Sequence, residues 1–224
     1  MKYSHIIFDA DETLFHFDAF LGLQTMFKQH NVVFSQQDYN EYQTLNAPLW
    51  IQYQEGKIDA QTLQITRFNT WATKLAVSPE LLNLGFLNAM ADICKPLPGA
   101  HSLLSALNPT TSLNIITNGF SALQEKRLNN TGFKHFFDHV VISEQVGVAK
   151  PDPQVFEHTL ELLGNPNKAN VLMVGDTPKS DILGANRFGI DSCWLQHDGQ
   201  TCPDDIQPTY RVGDLAELET LLVK

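Results

Sequence analysis

Basic charge is in short supply in this chain. Its 15 Lys and Arg residues face 25 Asp and Glu, leaving a formal net charge of −10. A phosphate backbone is normally met with surplus Lys and Arg, so the composition argues against a nucleic-acid polymer as partner. A small anionic substrate is compatible, because a metal ion and a few local donors can reverse the field inside one cleft. Cysteine is scarce as well. Cys94, Cys193 and Cys202 are odd in number and widely spaced, which gives neither a disulfide framework nor zinc-like spacing. They read as free thiols, and Cys193, inside an apolar run, as a buried one. No apolar run reaches the roughly 18–20 residues that cross a bilayer. The N-terminus has no charged region leading into an apolar stretch, since Asp9 and Asp11 interrupt it. The expectation is a soluble, cytoplasmic protein with no membrane partner. Internal repeats and low-complexity tracts are absent too, and nothing signals an oligomeric state.

What is present is ordinary in amount and informative in arrangement. With 224 residues and 43% apolar content, the chain can bury one large core, or a core and a smaller second one. Short apolar runs at 5–8, 113–116, 139–142, 171–174 and 192–195 read as buried strands. Helical patterns at 100–107, 121–128, 154–163, 179–188 and 215–222 separate them. Continuous apolar strands alternating with helices indicate an α/β fold, a Rossmann-like parallel sheet with helices on both faces. Residues 16–95 break the rhythm. Phe17, Phe20, Gln24 and Phe27 form one helical stripe, and Ile65, Phe68, Ala72 and Leu75 another. Ser78-Pro79-Glu80 has a capping serine followed by proline at the first helical position. The segment leaves through Lys95-Pro96-Leu97-Pro98-Gly99, a stiff turn suited to a boundary. We expect an α/β core from 1–15 and 96–224, and an all-helical insertion over 16–95.

Chemistry is concentrated where the strands end. The first strand runs into Asp9-Ala10-Asp11-Glu12-Thr13. Strand side chains alternate, so Asp9 and Asp11 can address one space. Two like charges that close call for a cation between them or a proton on one, a site for a metal ion or for acid/base work. Thr117-Asn118-Gly119 precedes a helix near Ser121, and free N–H groups at a helix start suit a phosphate. Taken alone it is an ordinary Asn-Gly turn. Lys150, in Ala149-Lys150-Pro151-Asp152-Pro153, would alone be an ordinary surface lysine. Asp176 directly follows a strand, and Asp181 falls where acids often serve as helix-dipole partners.

Together and in this order, the four signals resemble the four motifs of the haloacid dehalogenase-like hydrolase superfamily. The likeness runs from Ile6 to Asp181, with the helical insertion resembling a cap that follows the first strand. It implies a Mg²⁺-dependent phosphatase, with Mn²⁺ able to substitute. Asp9 would be the nucleophile and Asp11 the general acid and base. Thr117, Asn118, Gly119 and Lys150 would bind phosphate. The metal would rest on Asp9, Asp176 and the Asp11 carbonyl, with Asp181 and Thr13 as supporting residues. Dehalogenation needs no proton donor, so Asp11 favours phosphoester hydrolysis.

A finer likeness is to the bacterial pyrimidine 5′-nucleotidases. It is carried by Asp9-Ala10-Asp11-Glu12-Thr13-Leu14-Phe15, Asn46-Ala47-Pro48-Leu49-Trp50, Ile116-Thr117-Asn118-Gly119-Phe120-Ser121-Ala122-Leu123-Gln124 and Ser143-Glu144-Gln145-Val146-Gly147-Val148-Ala149-Lys150-Pro151. It implies nucleoside monophosphate substrates such as UMP, dUMP and dTMP. Among the aromatics near the insertion, Phe15, Phe17 and Trp50 are candidates to reach a base, Phe15 and Phe17 because they follow the nucleophile loop. Two alternatives share these motifs: a phosphatase for another small ester such as a phosphosugar, and a non-catalytic phosphoacceptor.

Overall fold

The computed structural model describes residues 2–223. Six strands form one sheet in the order β3-β2-β1-β4-β5-β6, every neighbouring pair parallel. The strands are β1 (His5–Phe8), β2 (Ser112–Thr117), β3 (His139–Ile142), β4 (Val171–Gly175), β5 (Asp191–Leu195) and β6 (Tyr210–Val212). Among the described residues six helices separate β1 from β2 in the chain, and the first five make up the insertion: α1 (Ala19–Lys28), α2 (Gln36–Gln54), α3 (Ala60–Thr66), α4 (Asn69–Leu75) and α5 (Pro79–Ile93). The others are α6 (Ala100–Leu107), α7 (Ser121–Asn130), α8 (Ser143–Val146), α9 (Pro153–Leu162), α10 (Leu183–Phe188) and α11 (Leu215–Leu222).

Strand alternation sorts the core into two layers. Ile6 and Phe8 of β1, Leu113 and Ile115 of β2, and Leu172 and Val174 of β4 pack on one face with α6 and α11. Ile7, Ile116, Val171 and Met173 pack on the other with α9 and α10. Covering both faces explains why these strands read as unbroken apolar runs. A third cluster holds the inserted helices together around Leu23, Phe27, Phe68 and Phe86, and reaches Phe120, Leu123 and Ala149 of the sheet layer. The expected α/β architecture with a parallel sheet is the one observed.

Local departures have physical reasons. β6 has three residues at the sheet edge with mixed burial, too short for an apolar run. The stripe through Ile65, Phe68, Ala72 and Leu75 is divided between α3 and α4, with Phe68 buried at the break. The pattern at 179–188 opens as a π-helical turn, Pro178–Ile182, before α10, a deformation common at functional sites. Ser78 caps α5, accepting from the Leu81 amide, with Pro79 at the first position, as expected.

Two connections join the insertion to the sheet side by side. His16 N donates to Lys95 O at 2.9 Å, and Leu97 N to Leu14 O at 2.9 Å. β1 lies centrally, with Phe8 in register with Ile115 on one side and Val174 on the other. The chain adds β2 and β3 on one flank and then returns to add β4 on the other. Asp9, Thr117 and Asp176 therefore emerge at one carboxyl edge, at the switch point where open α/β sheets bind ligands.

Candidate active site

The loop after β1 is tight. The amides of Leu14 and Phe15 both donate to the Ala10 carbonyl, and Glu12 N donates to Phe15 O. Glu12 has a positive φ of 53°, unusual without glycine and a mark of a constrained turn. The turn carries Asp11 out toward solvent and sends Phe15 inward.

Lys150 organises the site. It is 1% exposed and donates to Asp9 Oδ1 at 2.5 Å and to the Ile116 carbonyl at 2.7 Å. It also pairs with Asp181 Oδ1 at 2.8 Å. An ammonium has three protons, so all are committed. Burial works against its charge, but Asp181 and Asp9 outweigh burial and hold its pKa above the ordinary lysine value. Asn118 fixes the lysine backbone by two reciprocal bonds: its Nδ2 donates to Lys150 O at 2.9 Å, and Lys150 N donates to its Oδ1 at 2.8 Å.

Asp181 is equally saturated. Its Oδ2 accepts from Thr177 N at 3.0 Å, and its Oδ1 from Ser180 Oγ at 3.2 Å as well as from Lys150. The π-helical turn tucks it against β4, where a Cβ on Gly175 would collide with its carboxyl group. Asp176 is held from behind, its carbonyl accepting from Trp194 Nε1 at 2.9 Å, while its Oδ1 accepts from Thr177 Oγ1 at 3.2 Å.

Carboxylate oxygens of Asp9, Asp176 and Asp181 lie within 4.8 Å of one another. Burial, with the neighbouring acids adding to it, pushes Asp9 up to about 7 and Asp176 up to about 8. Lys150 alone does not compensate this cluster. The free positions on Asp9 and Asp176 are hard oxygens with no thiolate or imidazole among them, a donor set that fits Mg²⁺ or a similar hard cation. Asp181, with both oxygens already bonded, fits the supporting role better than that of a direct ligand.

Thr117 Oγ1 accepts from Gly119 N at 3.0 Å and from Gln124 Nε2 at 3.4 Å. Its own proton is what it has left to give, and a phosphoryl oxygen can accept it. The Gly119 amide is bonded to Thr117 in this structure, and the residue lines the cleft beside Thr117 and Asn118. The glycine is needed for room, since a Cβ would strike Gln124 Nε2. Asn118 likewise has its side chain engaged with Lys150, leaving its backbone amide for a ligand. Thr13 is fully buried, and its hydroxyl has no hydrogen-bond partner among the described residues.

A cleft of about 260 Å³ joins these groups to the insertion, and Phe17, Trp50 and Gln54 line its far side. Trp50 stacks on Phe120 of the phosphate loop, ring centroids 5.3 Å apart. Phe15 is a correction: it is fully buried in the sheet core, packed on Phe133, and does not reach the cleft. Sequence order placed it near the nucleophile, and the tight turn removes it. Sequence reasoning also missed Gln124 and Arg127, fully buried residues of α7 that connect Thr117 to Asp11. Their signal was available: two polar residues three apart beside Leu123 and Leu128, on the buried face of a helix.

Topology and chemistry define the class, a doubly wound α/β enzyme with acids gathered at its switch point beneath an inserted helical layer. Comparison with known proteins makes this specific. The haloacid dehalogenase-like hydrolase family profile matches residues 3–189, and the chain belongs to that family. It is 53% identical to the pyrimidine 5′-nucleotidase YjjG of Escherichia coli over 224 residues, all of both chains. It is 32% identical to the pyrimidine 5′-nucleotidase PynA of Streptococcus pneumoniae over 229 residues, covering 100% of this chain and 97% of that one. The crystal structure of the putative hydrolase YfnB of Bacillus subtilis, bound to magnesium, superposes with a TM-score of 0.85 at 29% identity over 99% of each chain.

Proposed function

We propose that this protein is a Mg²⁺-dependent 5′-nucleotidase that hydrolyses pyrimidine nucleoside monophosphates such as UMP, dUMP and dTMP. The observation that carries the reading is the 53% identity to YjjG along the entire chain, inserted helices included. Substrate choice in such an architecture belongs to the layer over the cleft, so a match confined to the sheet would not support it. A cytoplasmic location is part of this reading; among the described residues no helix is long and apolar enough to cross a membrane.

The chain's own groups divide the work. Asp9 attacks phosphorus, forming an aspartyl-phosphate as the bond to the 5′ oxygen breaks. Asp11 protonates that oxygen, then takes a proton from the water that cleaves the intermediate. Thr117 and the Asn118 amide hold phosphoryl oxygens. Lys150 keeps Asp9 placed and, as that carboxylate loses charge on phosphorylation, turns its proton from Asp9 to a phosphoryl oxygen. Asp9, Asp176 and the Asp11 carbonyl would hold Mg²⁺, which there offsets the repulsion between the carboxylates and an incoming phosphate. Residues 16–95 act as a cap over the core 1–15 and 96–224, moving about 15–19 and 95–99 to admit substrate and then water.

A panel of phosphate esters tests the reading. UMP, dUMP and dTMP should be turned over faster than sugar phosphates, with loss of activity in EDTA, return with Mg²⁺ or Mn²⁺, and none in Asp9→Asn. Sugar phosphates hydrolysed as fast as the nucleotides would defeat the nucleotidase assignment.

A further inference from the structure

We propose that Arg127 is a positioning residue for Asp11, holding one carboxylate oxygen so that the other faces the phosphate pocket. This rests on the reading of Asp11 as the proton-transfer group. Arg127 is 1% exposed, and its Nη1 donates to Asp11 Oδ1. Its Nε donates to Gln124 Oε1 at 2.8 Å, and Gln124 Nε2 donates onward to Thr117 Oγ1 at 3.4 Å. The guanidinium lies over the Phe15 ring, 4.8 Å from its centroid, which gives Phe15 a role after its removal from the cleft. Asp11 Oδ2 lies toward the phosphate loop, 3.6 Å from where a Cβ on Gly119 would stand.

A packing role alone does not account for this arrangement. Arg127 Nη2 is buried without a partner among the described residues, a desolvation cost that an apolar side chain would avoid. Asp11, whose side chain is 29% exposed, would otherwise sample several rotamers at the cleft mouth. A charge-assisted bond from a rigid, stacked guanidinium selects one of them. The same chain of bonds ends on Thr117, so proton donor and phosphate ligand are set by one buried strut.

The chemistry assigns the atoms. In the first half-reaction Asp9 bonds to phosphorus, the bond to the 5′ oxygen breaks, and the proton on Asp11 Oδ2 passes to that oxygen. In the second, water bonds to phosphorus, the Asp9–phosphorus bond breaks, and Oδ2 receives the water's proton. Oδ1 stays with Arg127.

The test compares two leaving groups through kcat/KM, which reports steps up to the first chemical event. UMP expels an alkoxide that must be protonated, whereas p-nitrophenyl phosphate expels a phenolate that need not be. Arg127→Met should lower kcat/KM for UMP about 100-fold, the scale of a lost acid catalyst, and for p-nitrophenyl phosphate by no more than about threefold. Arg127→Lys should recover part of the UMP loss, and in an Asp11→Asn background Arg127→Met should leave the ratio unchanged. Equal losses on both esters, or none, would overturn the proposal. If Arg127→Met fails to fold, the polar variant Arg127→Gln, which leaves Gln124 and Thr117 in place, must show the same preferential loss on UMP. If wild-type protein cleaves other alkyl phosphates but not UMP, the nucleotidase reading alone fails. The ratio is then read with the best alkyl ester.

Discussion

Lys150 has three protons and three partners, and two of those partners are buried carboxylates. Among the described residues that makes it the single cationic group paired with Asp9 and Asp181 when no metal ion is bound. Removing one member of a buried ion pair leaves the other uncompensated and destabilises by about 3–5 kcal/mol. We predict that Lys150→Met lowers stability by about that amount in EDTA, measured by urea unfolding, and that saturating Mg²⁺ restores part of it. A change under about 1 kcal/mol would mean that the carboxylates take up protons in place of the lysine. Asn118 belongs to the same device, since its two bonds to the lysine backbone fix where the ammonium can reach.

Among the elements, the inserted helices meet the sheet layer through a few directed contacts. Tyr53 Oη and Ser143 Oγ share a hydrogen bond of 2.7 Å, Gln64 Nε2 donates to Glu144 Oε1 at 2.7 Å, and Trp50 stacks on Phe120. Trp50 is the aromatic of this set that also lines the cleft, and stacking a base on a ring is worth about 1–3 kcal/mol. Trp50→Ala should therefore raise KM for UMP about tenfold while changing KM for p-nitrophenyl phosphate, which carries no base, far less. A parallel rise for both would reduce Trp50 to a brace for Phe120. The elements that hold the chemistry were legible because β1, β2 and β4 are buried on both faces and each runs directly into a polar residue, Asp9, Asn118 and Asp176. The break at Phe68 was not, because the apolar stripe continues across it. The displacement of Phe15 was not either, since it follows from two hydrogen bonds to the Ala10 carbonyl. The strut through Gln124 and Arg127 was visible only as polar residues on an apolar helix face, and tertiary contact alone tells what they join.

At the scale of the molecule, a chain of net charge −10 gathers three of its acids at one sheet edge, and proton and metal binding compete there. With no cation bound, Asp9 lies up near about 7 and Asp176 near about 8, above the ordinary carboxylate value of 3.8. The unfolded chain releases these protons above that ordinary value, and the folded metal-free protein only near neutrality. The folded state thus binds more protons across the interval, so its stability from these groups falls as pH rises from about 4 to about 8. A cation that replaces the protons reverses the trend, because its binding releases more of them at low pH and meets ready carboxylates at high pH. The stabilisation produced by Mg²⁺, read as the difference in Tm between Mg²⁺ and EDTA at matched ionic strength, should be small near about pH 5.5 and grow toward about pH 8. In Asp176→Asn that difference should shrink at every pH. A Mg²⁺ shift that stays constant or declines with rising pH would count against Asp9 and Asp176 as the groups that receive the ion, since neither ligand could then be giving up a proton to bind it.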